Sequence, residues 1–265
     1  MSVTNTFFEL LWYSYQIILE HLIYFILILV GIIIAFFLWN FPWILKYYTV
    51  ESYEEKILDG KILIFSDTHL KPGRSLPRKL TNFIIMNNIK YIVVAGDLLD
   101  YKHKLNNKEL FDVLSKVFLN LKNTDVGKIF YITSTTSHDP RIDGIREIDL
   151  GFSKIILIPG VLKLETSVGI IHISHCDYVC RHGAIARMLN SILGKLGKKL
   201  YIERLARKAF GVDDNSWVIC GHTHIAGIDH SQKIGNPGGW KSKLWVKRAD
   251  MAIIVDQDIK LIKIK

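Results

Sequence analysis

Five short polar clusters recur along this chain, each after an apolar run. They are Asp67 and His69 in SDTH, Asp97 and Asp100 in GDLLD, Ser137, His138 and Asp139 in SHD, His175 and Asp177 in SHCD, and His222 and His224 in GHTH. The donors are carboxylates and imidazoles without a thiolate. That set suits Mn²⁺, Fe or Zn²⁺ in a hydrolytic site better than a structural zinc site, where cysteine ligands prevail. Asp-x-His and His-x-His put alternate residues on the same side of an extended chain, so both members of a pair can face one centre. A carboxylate such as Asp97 can bridge two cations about 3.5–4 Å apart, and such a pair neutralises the charge that develops on a phosphoryl group under attack. Any one cluster alone reads as a polar loop; their joint occurrence is what points to a dinuclear site. His172, on an apolar strand, reads as a core histidine, and His103, His182 and His230 as surface residues or substrate contacts.

The elements that must position these clusters alternate in type. KILIFSD, YIVVAGD and KIFYITS read as strands. Between them, helices are predicted over LPRKLTNFIIMNN, with Leu80, Phe83, Ile84 and Met86 at helical spacing, and over NKELFDVLSKVFLNL. Near-continuous apolar strands imply a sheet buried on both faces. From Lys154 the texture changes to closely spaced strands: KIILI, VLKLE, VGIIHIS, WVIC, KLWVKR, MAIIV and IKLIKIK. Two runs of strands with helices point to packed sheets rather than an open doubly wound fold. Strand ends along one edge gather side chains into a crevice, which is how five distant clusters can converge.

One segment interrupts the strands. From Arg181 to Lys208 the apolar residues Ile185, Met188, Leu189, Ile192, Leu193 and Leu196 recur at helical spacing, with basic residues beside them and Glu203 as the single acid. Gly194 and Gly197 should divide it into two helices. A charge run is usually a solvated helix face; inserted between two metal motifs, this one reads better as a surface for lipid, with apolar residues for acyl or isoprenoid chains and Arg181 and Arg187 for phosphates.

With 265 residues and 49% hydrophobic content the chain has room for one large domain or two small ones and is too apolar to be disordered. Leu22 to Leu45 holds no charged residue, and as a helix it would span roughly 36 Å, enough for a bilayer core. No basic residue precedes Lys46, so the run lacks the n-region of a cleaved signal and is read as a retained anchor. Trp39, Trp43, Tyr47 and Tyr48 form an aromatic belt, and Lys46, Lys56 and Lys61 after the span place the bulk of the chain on the cytoplasmic side. The net charge of +9 favours anionic partners. Three cysteines without a CxxC pair argue against a disulfide framework, and Cys220 reads as a buried core thiol in a reducing cytoplasm.

Asp67-x-His69, Gly96-Asp97-x-x-Asp100, Ser137-His138-Asp139, His175 and Gly221-His222-x-His224 resemble, in order and spacing, the motifs of the calcineurin-like metallophosphoesterases over about residues 61 to 240. The resemblance implies an α/β fold: a four-layer sandwich of two mixed β-sheets flanked by helices, here preceded by one transmembrane helix. It implies two divalent metal ions, Mn²⁺ first with Fe or Zn²⁺ as alternatives. The first would take Asp67, His69, Asp97 and His224, and the second Asp97, His175 and His222. His138, oriented by Asp100, would stabilise phosphoryl oxygens or protonate the leaving group. Ser137 stands where the family has an Asn whose amide oxygen binds the second metal. A hydroxyl is the shorter and poorer ligand, so that metal is expected to bind more weakly. A second departure, Ser174 for the family's usual Gly before His175, retains the ligand.

The membrane location, SHCDY followed by the helical insertion, and GNPGGW after GHTH look most similar to the UDP-2,3-diacylglucosamine pyrophosphatase branch. The expected organisation is an N-terminal segment and transmembrane helix over 1–48, a linker over 49–60, and a metallophosphoesterase domain over 61–265 with its insertion at 181–210. The expected function is a single-pass, membrane-anchored phosphohydrolase cleaving a phosphate ester or pyrophosphate of a lipid-linked substrate at the cytoplasmic face, with membrane lipid as its other partner and no obligate protein partner. Two alternatives stand beside it. One is a phosphodiesterase or nuclease, disfavoured by the anchor and by the lack of a base-stacking platform. The other is a membrane-bound scaffold that has lost catalysis through Ser137.

Overall fold

A computed structural model describes residues 3–45, 50–101, 104–134, 138–242 and 248–265, with side chains from residue 12 onward. Ser137, His103, Lys46, Tyr47, Tyr48 and most of the strand expected over KLWVKR lie outside the described residues.

Helix α1 (Val3–Asn40) carries the apolar run. Its stretch Trp12–Asn40 is long and apolar enough to cross a membrane, and its most apolar part is not buried in protein, whereas Asn40 at its end is. The expected linker over 49–60 is corrected: it holds strand β1 (Glu51–Ile57). The alternation in ESYEEKI explains this, because Tyr53, Glu55 and Ile57 turn toward the other sheet while Glu54 and Lys56 turn outward. Lys163 reaches Glu54 at 3.1 Å and Lys128 reaches Glu55 at 2.8 Å.

After β1 come β2 (Lys61–Phe65), α2 (Arg78–Met86), β3 (Ile89–Ala95), α3 (Asn107–Phe118), β4 (Lys128–Ile132), β5 (Arg146–Asp149) and β6 (Lys154–Ile158). There follow β7 (Gly160–Thr166), β8 (Gly169–Ser174), α4 (Gly183–Lys195), α5 (Tyr201–Phe210), β9 (Trp217–Cys220), β10 (Gly227–Asp229), β11 (Ile234–Asn236), β12 (Met251–Val255) and β13 (Ile259–Lys263). Helix α3 starts on a capping box, in which Asn106 and Glu109 each accept from the other's backbone N–H. The insertion divides into two helices at Gly197, whose φ of 81° suits glycine, while Gly194 stays within α4.

The strands form two mixed sheets. One runs β13-β12-β2-β3-β4-β6-β5 and the other β1-β7-β8-β9-β11-β10. Period-two alternation assigns each strand two faces. Leu63, Phe65, Ile92, Val94, Ile129 and Tyr131 meet Leu80, Ile84, Leu110, Leu114 and Val117 of α2 and α3. Their neighbours Ile62, Ile64, Val93, Phe130 and Ile132 pack against Leu162, Leu164, Ile171, Ile173 and Ile219 of the second sheet. On the far side of that sheet Val218, Cys220 and Ile234 pack with Ala186, Ile202 and Ala206 of α4 and α5. The result is the four-layer helix–sheet–sheet–helix sandwich.

Two features depart from the sequence reading. Phe41 is buried with Cys176, Val179 and Cys180 in the α4–α5 layer, and Trp43 packs beside it, so the end of α1 is seated on the domain. The expectation of free thiols is overturned at Cys176 and Cys220, which form a disulfide with Cα atoms 5.6 Å apart. The parallel β8–β9 register, which pairs Ser174 with Cys220, brings the two within bonding range. An odd cysteine count without strand pairing could not reveal it. Cys180 is the free, buried thiol, and burial pushes it up to about 11, far from a thiolate nucleophile.

Candidate metal centre

Strands β2, β3 and β4 are parallel neighbours, as are β8 and β9, so the loops after them open on one edge. Backbone bonds stitch those loops together: Asp67 N–H to Gly96 O at 3.0 Å, His69 N–H to Asp97 O at 2.9 Å, and Trp240 N–H to Asp67 O at 3.0 Å. Asp67, His69, Asp97, His222 and His224 all have φ between 46° and 69°. Non-glycine residues enter this left-handed region at a cost, and such conformations persist where the surroundings over-determine them, which is characteristic of functional sites.

The side chains converge. Ligand atoms of Asp67, His69 and His224 lie within 4.8 Å of one another, as do those of Asp67, Asp97 and His175. Asp97 faces both groups, its Oδ2 3.6 Å from His69 Nε2 and its Oδ1 3.4 Å from His175 Nε2. His224 Nε2 is 3.2 Å from Asp67 Oδ1, and His222 Nδ1 is 3.2 Å from His175 Nε2. Outer partners fix which nitrogen points inward. His175 Nδ1 sits 3.0 Å from Ala95 O, and His222 Nε2 sits 2.6 Å from Cys180 O. Glycine makes room for two rings: a Cβ on Gly96 would fall 2.3 Å from the His175 ring, and one on Gly239 2.2 Å from His224 Nδ1.

This donor set fits divalent cations. Asp67 Oδ1 and Asp97 Oδ1 are buried oxygens that accept no hydrogen bond among the described residues, and imidazole nitrogens face each of them. Burial works to raise the Asp97 carboxyl, but His175, His69 and His138 outweigh it and hold it well below the usual range. Burial likewise opposes protonation of His175, and Asp97 overrides it to raise that imidazole well above its ordinary value. Burial and the adjoining His175 push His222 down to about 4. The pocket thus calls for positive charge between the carboxylates and keeps His222 a neutral donor.

Asp100 and His138 lie at the rim. His138 Nδ1 is 3.0 Å from Asp100 Oδ1, and the His138 ring meets that of His69 edge-on at 4.5 Å. Lys241 Nζ donates to Asp100 Oδ2 at 2.8 Å and, with His138, holds this carboxyl at about 2. Beneath them Asp139 is fully enclosed. Its carboxylate accepts from Asp97 N at 2.7 Å, Ser134 N at 2.9 Å, Leu99 N at 3.1 Å and the Tyr131 hydroxyl. Burial and Asp97 raise it to about 7.

Residues 61–258 match the family model described as the Calcineurin-like phosphoesterase superfamily domain. The chain belongs to this family. Calcineurin-like phosphoesterases depend on metal, and the Asp/His groups above are where this member can bind one. No curated protein matches. Among solved structures, Vps29 of Entamoeba histolytica complexed with Zn²⁺ is 16% identical with a TM-score of 0.35, covering 76% of this chain and 96% of that one. Yfce, a phosphoesterase from E. coli, is 14% identical with a TM-score of 0.35, covering 77% and 100%. Vacuolar Protein Sorting 29 from Cryptosporidium parvum is 11% identical with a TM-score of 0.39, covering 78% and 97%.

The side chains of Asp67, His69, Asp97, His175, His222 and His224 thus converge, with His138 and Asp100 paired beside them. Of the two arginines expected to bind substrate, Arg181 lies against the end of α1 and Arg187 against the ligand loop. The Arg181 guanidinium lies 4.2 Å above the Trp39 ring, and the backbone N–H of Arg181 donates to Asn40 O at 2.8 Å. Arg187 Nη1 is 3.4 Å from Thr223 O and 3.3 Å from His224 O, against the ligand loop itself. Sequence reasoning missed Asp139 as the support of Asp97, and Lys241 as the partner of Asp100. The signal for Asp139 was its place in the third motif; for Lys241 there was none, because its contact spans 141 residues.

Proposed function

We propose that this chain is a membrane-anchored phosphohydrolase that uses two divalent cations, Mn²⁺ first, to cleave a phosphate ester or pyrophosphate of a lipid-linked substrate at the membrane surface. The single observation that carries the lipid part is the seating of α1: Phe41 and Trp43 pack in the layer that holds α4, with Cys176, Val179 and Cys180 of the loop that follows His175. A helix fit to cross a bilayer then brings the metal centre to the membrane surface. On α4, Met188, Ile192 and Leu196 are 53%, 52% and 72% exposed at successive turns, an unpartnered apolar stripe beside Lys195, Lys198 and Lys199. Acyl or isoprenoid chains suit the stripe, and phosphates suit the lysines.

Bound cations would supply Lewis acidity at the phosphoryl oxygens. The chain's own residues do the rest. Asp67, Asp97, His175 and their neighbours hold that charge in a dry cleft. His138 Nδ1–H donates to Asp100, which leaves Nε2 to meet a phosphoryl oxygen or give a proton to the leaving oxygen. The basic flank after α1 favours a domain on the cytoplasmic face. The Cys176–Cys220 disulfide weighs on the other side, since such bonds belong to oxidising compartments.

The purified full-length chain, incubated with Mn²⁺ and a panel of cellular lipids, is expected to convert one lipid to a product lacking phosphate or nucleotide, seen by mass spectrometry. Asp97→Ala should reduce that conversion to background. If aryl phosphates turn over and no lipid changes, the lipid assignment falls; if nothing turns over with Mn²⁺ in excess, so does the enzyme.

A further inference from the structure

The insertion carries one acid among its basic residues, and that acid is wholly buried. Glu203 of α5 has no exposed surface. Its Oε2 accepts from Asn190 Nδ2 at 2.8 Å, and its Oε1 from Asn236 Nδ2 at 2.8 Å and Thr223 Oγ1 at 3.1 Å. All three donors are neutral. Neither amide can turn over, because Asn190 Oδ1 accepts from Ile202 N at 2.8 Å and Asn236 Oδ1 from Gly238 N at 2.8 Å. Desolvating a buried carboxylate costs about as much as good hydrogen bonds recover, so it makes a poor device for stability alone.

The three donors come from three different places. Asn190 belongs to α4, Asn236 ends β11 and leads to Gly238 and Gly239, and Thr223 lies between His222 and His224. Both of those histidines have left-handed backbone, with φ of 69° and 55°. Asn236 Nδ2 also donates to Gly221 O at 2.8 Å, and Arg187 braces the carbonyls of Thr223 and His224 from outside. The loop that presents two imidazoles is therefore held from behind by the insertion.

We infer that Glu203 is a positioning residue that fixes the His222–His224 loop in its ligating conformation, so that the insertion is a working part of the metal centre as well as a cover beside it. The inference rests on the metal-site reading of His222 and His224. Because both amides are pinned, only an acceptor on both oxygens fits. An amide at 203 would oppose a donor to the Asn190 Nδ2 or to the Asn236 Nδ2.

The test is Mn²⁺ titration of the full-length, metal-stripped protein by calorimetry, with thermal unfolding alongside. Glu203→Gln should weaken Mn²⁺ binding by about tenfold, the lower end of what outer partners of metal ligands contribute. The paired swap Asn190→Asp with Glu203→Gln reverses donor and acceptor across one bond and should restore most of the affinity. Ala206→Gly, which loosens α5 without touching the network, should lower the melting temperature and leave Mn²⁺ affinity unchanged. Wild-type affinity in Glu203→Gln, or equal weakness in the single variant and the swap, overturns the proposal. If the wild-type protein itself binds no Mn²⁺, the metal-site reading is what has failed and the positioning role falls with it. If the single variant does not fold, the swap carries the test: it must fold and bind, or the proposal is lost.

Discussion

The two helical layers differ in what they bury against their sheets. Helices α2 and α3 bury Leu80, Ile84, Leu110, Leu114 and Val117 against an apolar sheet face. Helices α4 and α5 bury Asn190 and Glu203 along with Ala186, Ile202 and Ala206, and leave Met188, Ile192 and Leu196 in the open. The first layer is a cover whose inward face follows the hydrophobic period. The second is partly inverted, polar where it meets the metal loop and apolar where it meets the surroundings. The first layer too leaves Ile85, Met86 and Phe111 exposed, so outward apolar residues alone do not separate the two; the wholly buried Glu203 does, and it marks the layer that serves the site.

Three experiments would break or sharpen this contrast. The largest effect belongs to the first layer: Leu114→Ala in α3 should lower unfolding free energy by about 2–5 kcal/mol, read by denaturant titration, while Mn²⁺ affinity in the folded protein stays the same. Next, Ile192→Ser on the outer face of α4 should shift stability by no more than about 0.5 kcal/mol. In the same variant the ratio of kcat/KM for the lipid-linked substrate to that for an aryl phosphate should fall roughly tenfold; an unchanged ratio would remove the lipid role of the stripe. The smallest concerns the rim. Asp100 is held at about 2 against an ordinary 3.8, chiefly by Lys241, so its contribution to stability is full above pH 4 and fades as the pH falls toward 2. In Lys241→Met that acid-side loss should shrink, because the carboxyl returns toward its ordinary value; an identical acid limb would show that the Lys241 contact is not kept in solution.

Much of the site was legible in the residues. Asp67, His69, Asp97, His175, His222 and His224 each follow an apolar strand, and parallel strands must deliver their ends to one edge. The first layer was legible too, because α2 and α3 keep helical period and bury most of it. What escaped was set by contacts between distant segments. Strand β1 hid in a charged sequence because its ion pairs depend on β7. The disulfide needed the register of β8 on β9, and Asp139 and Glu203 needed partners 40 and 33 residues away before their role could show.

Local sequence thus determined the chemistry on offer: carboxylates and imidazoles at strand ends, an apolar span, a basic amphipathic insertion. Those follow from side-chain type and period, which neighbours along the chain already define. Only the tertiary structure decided that Asp139 supports Asp97 from beneath, that the end of α1 seats on the domain, and that the lone acid of the insertion faces inward. Each of these depends on hydrogen bonds and burial between residues far apart in the chain, which no local pattern encodes.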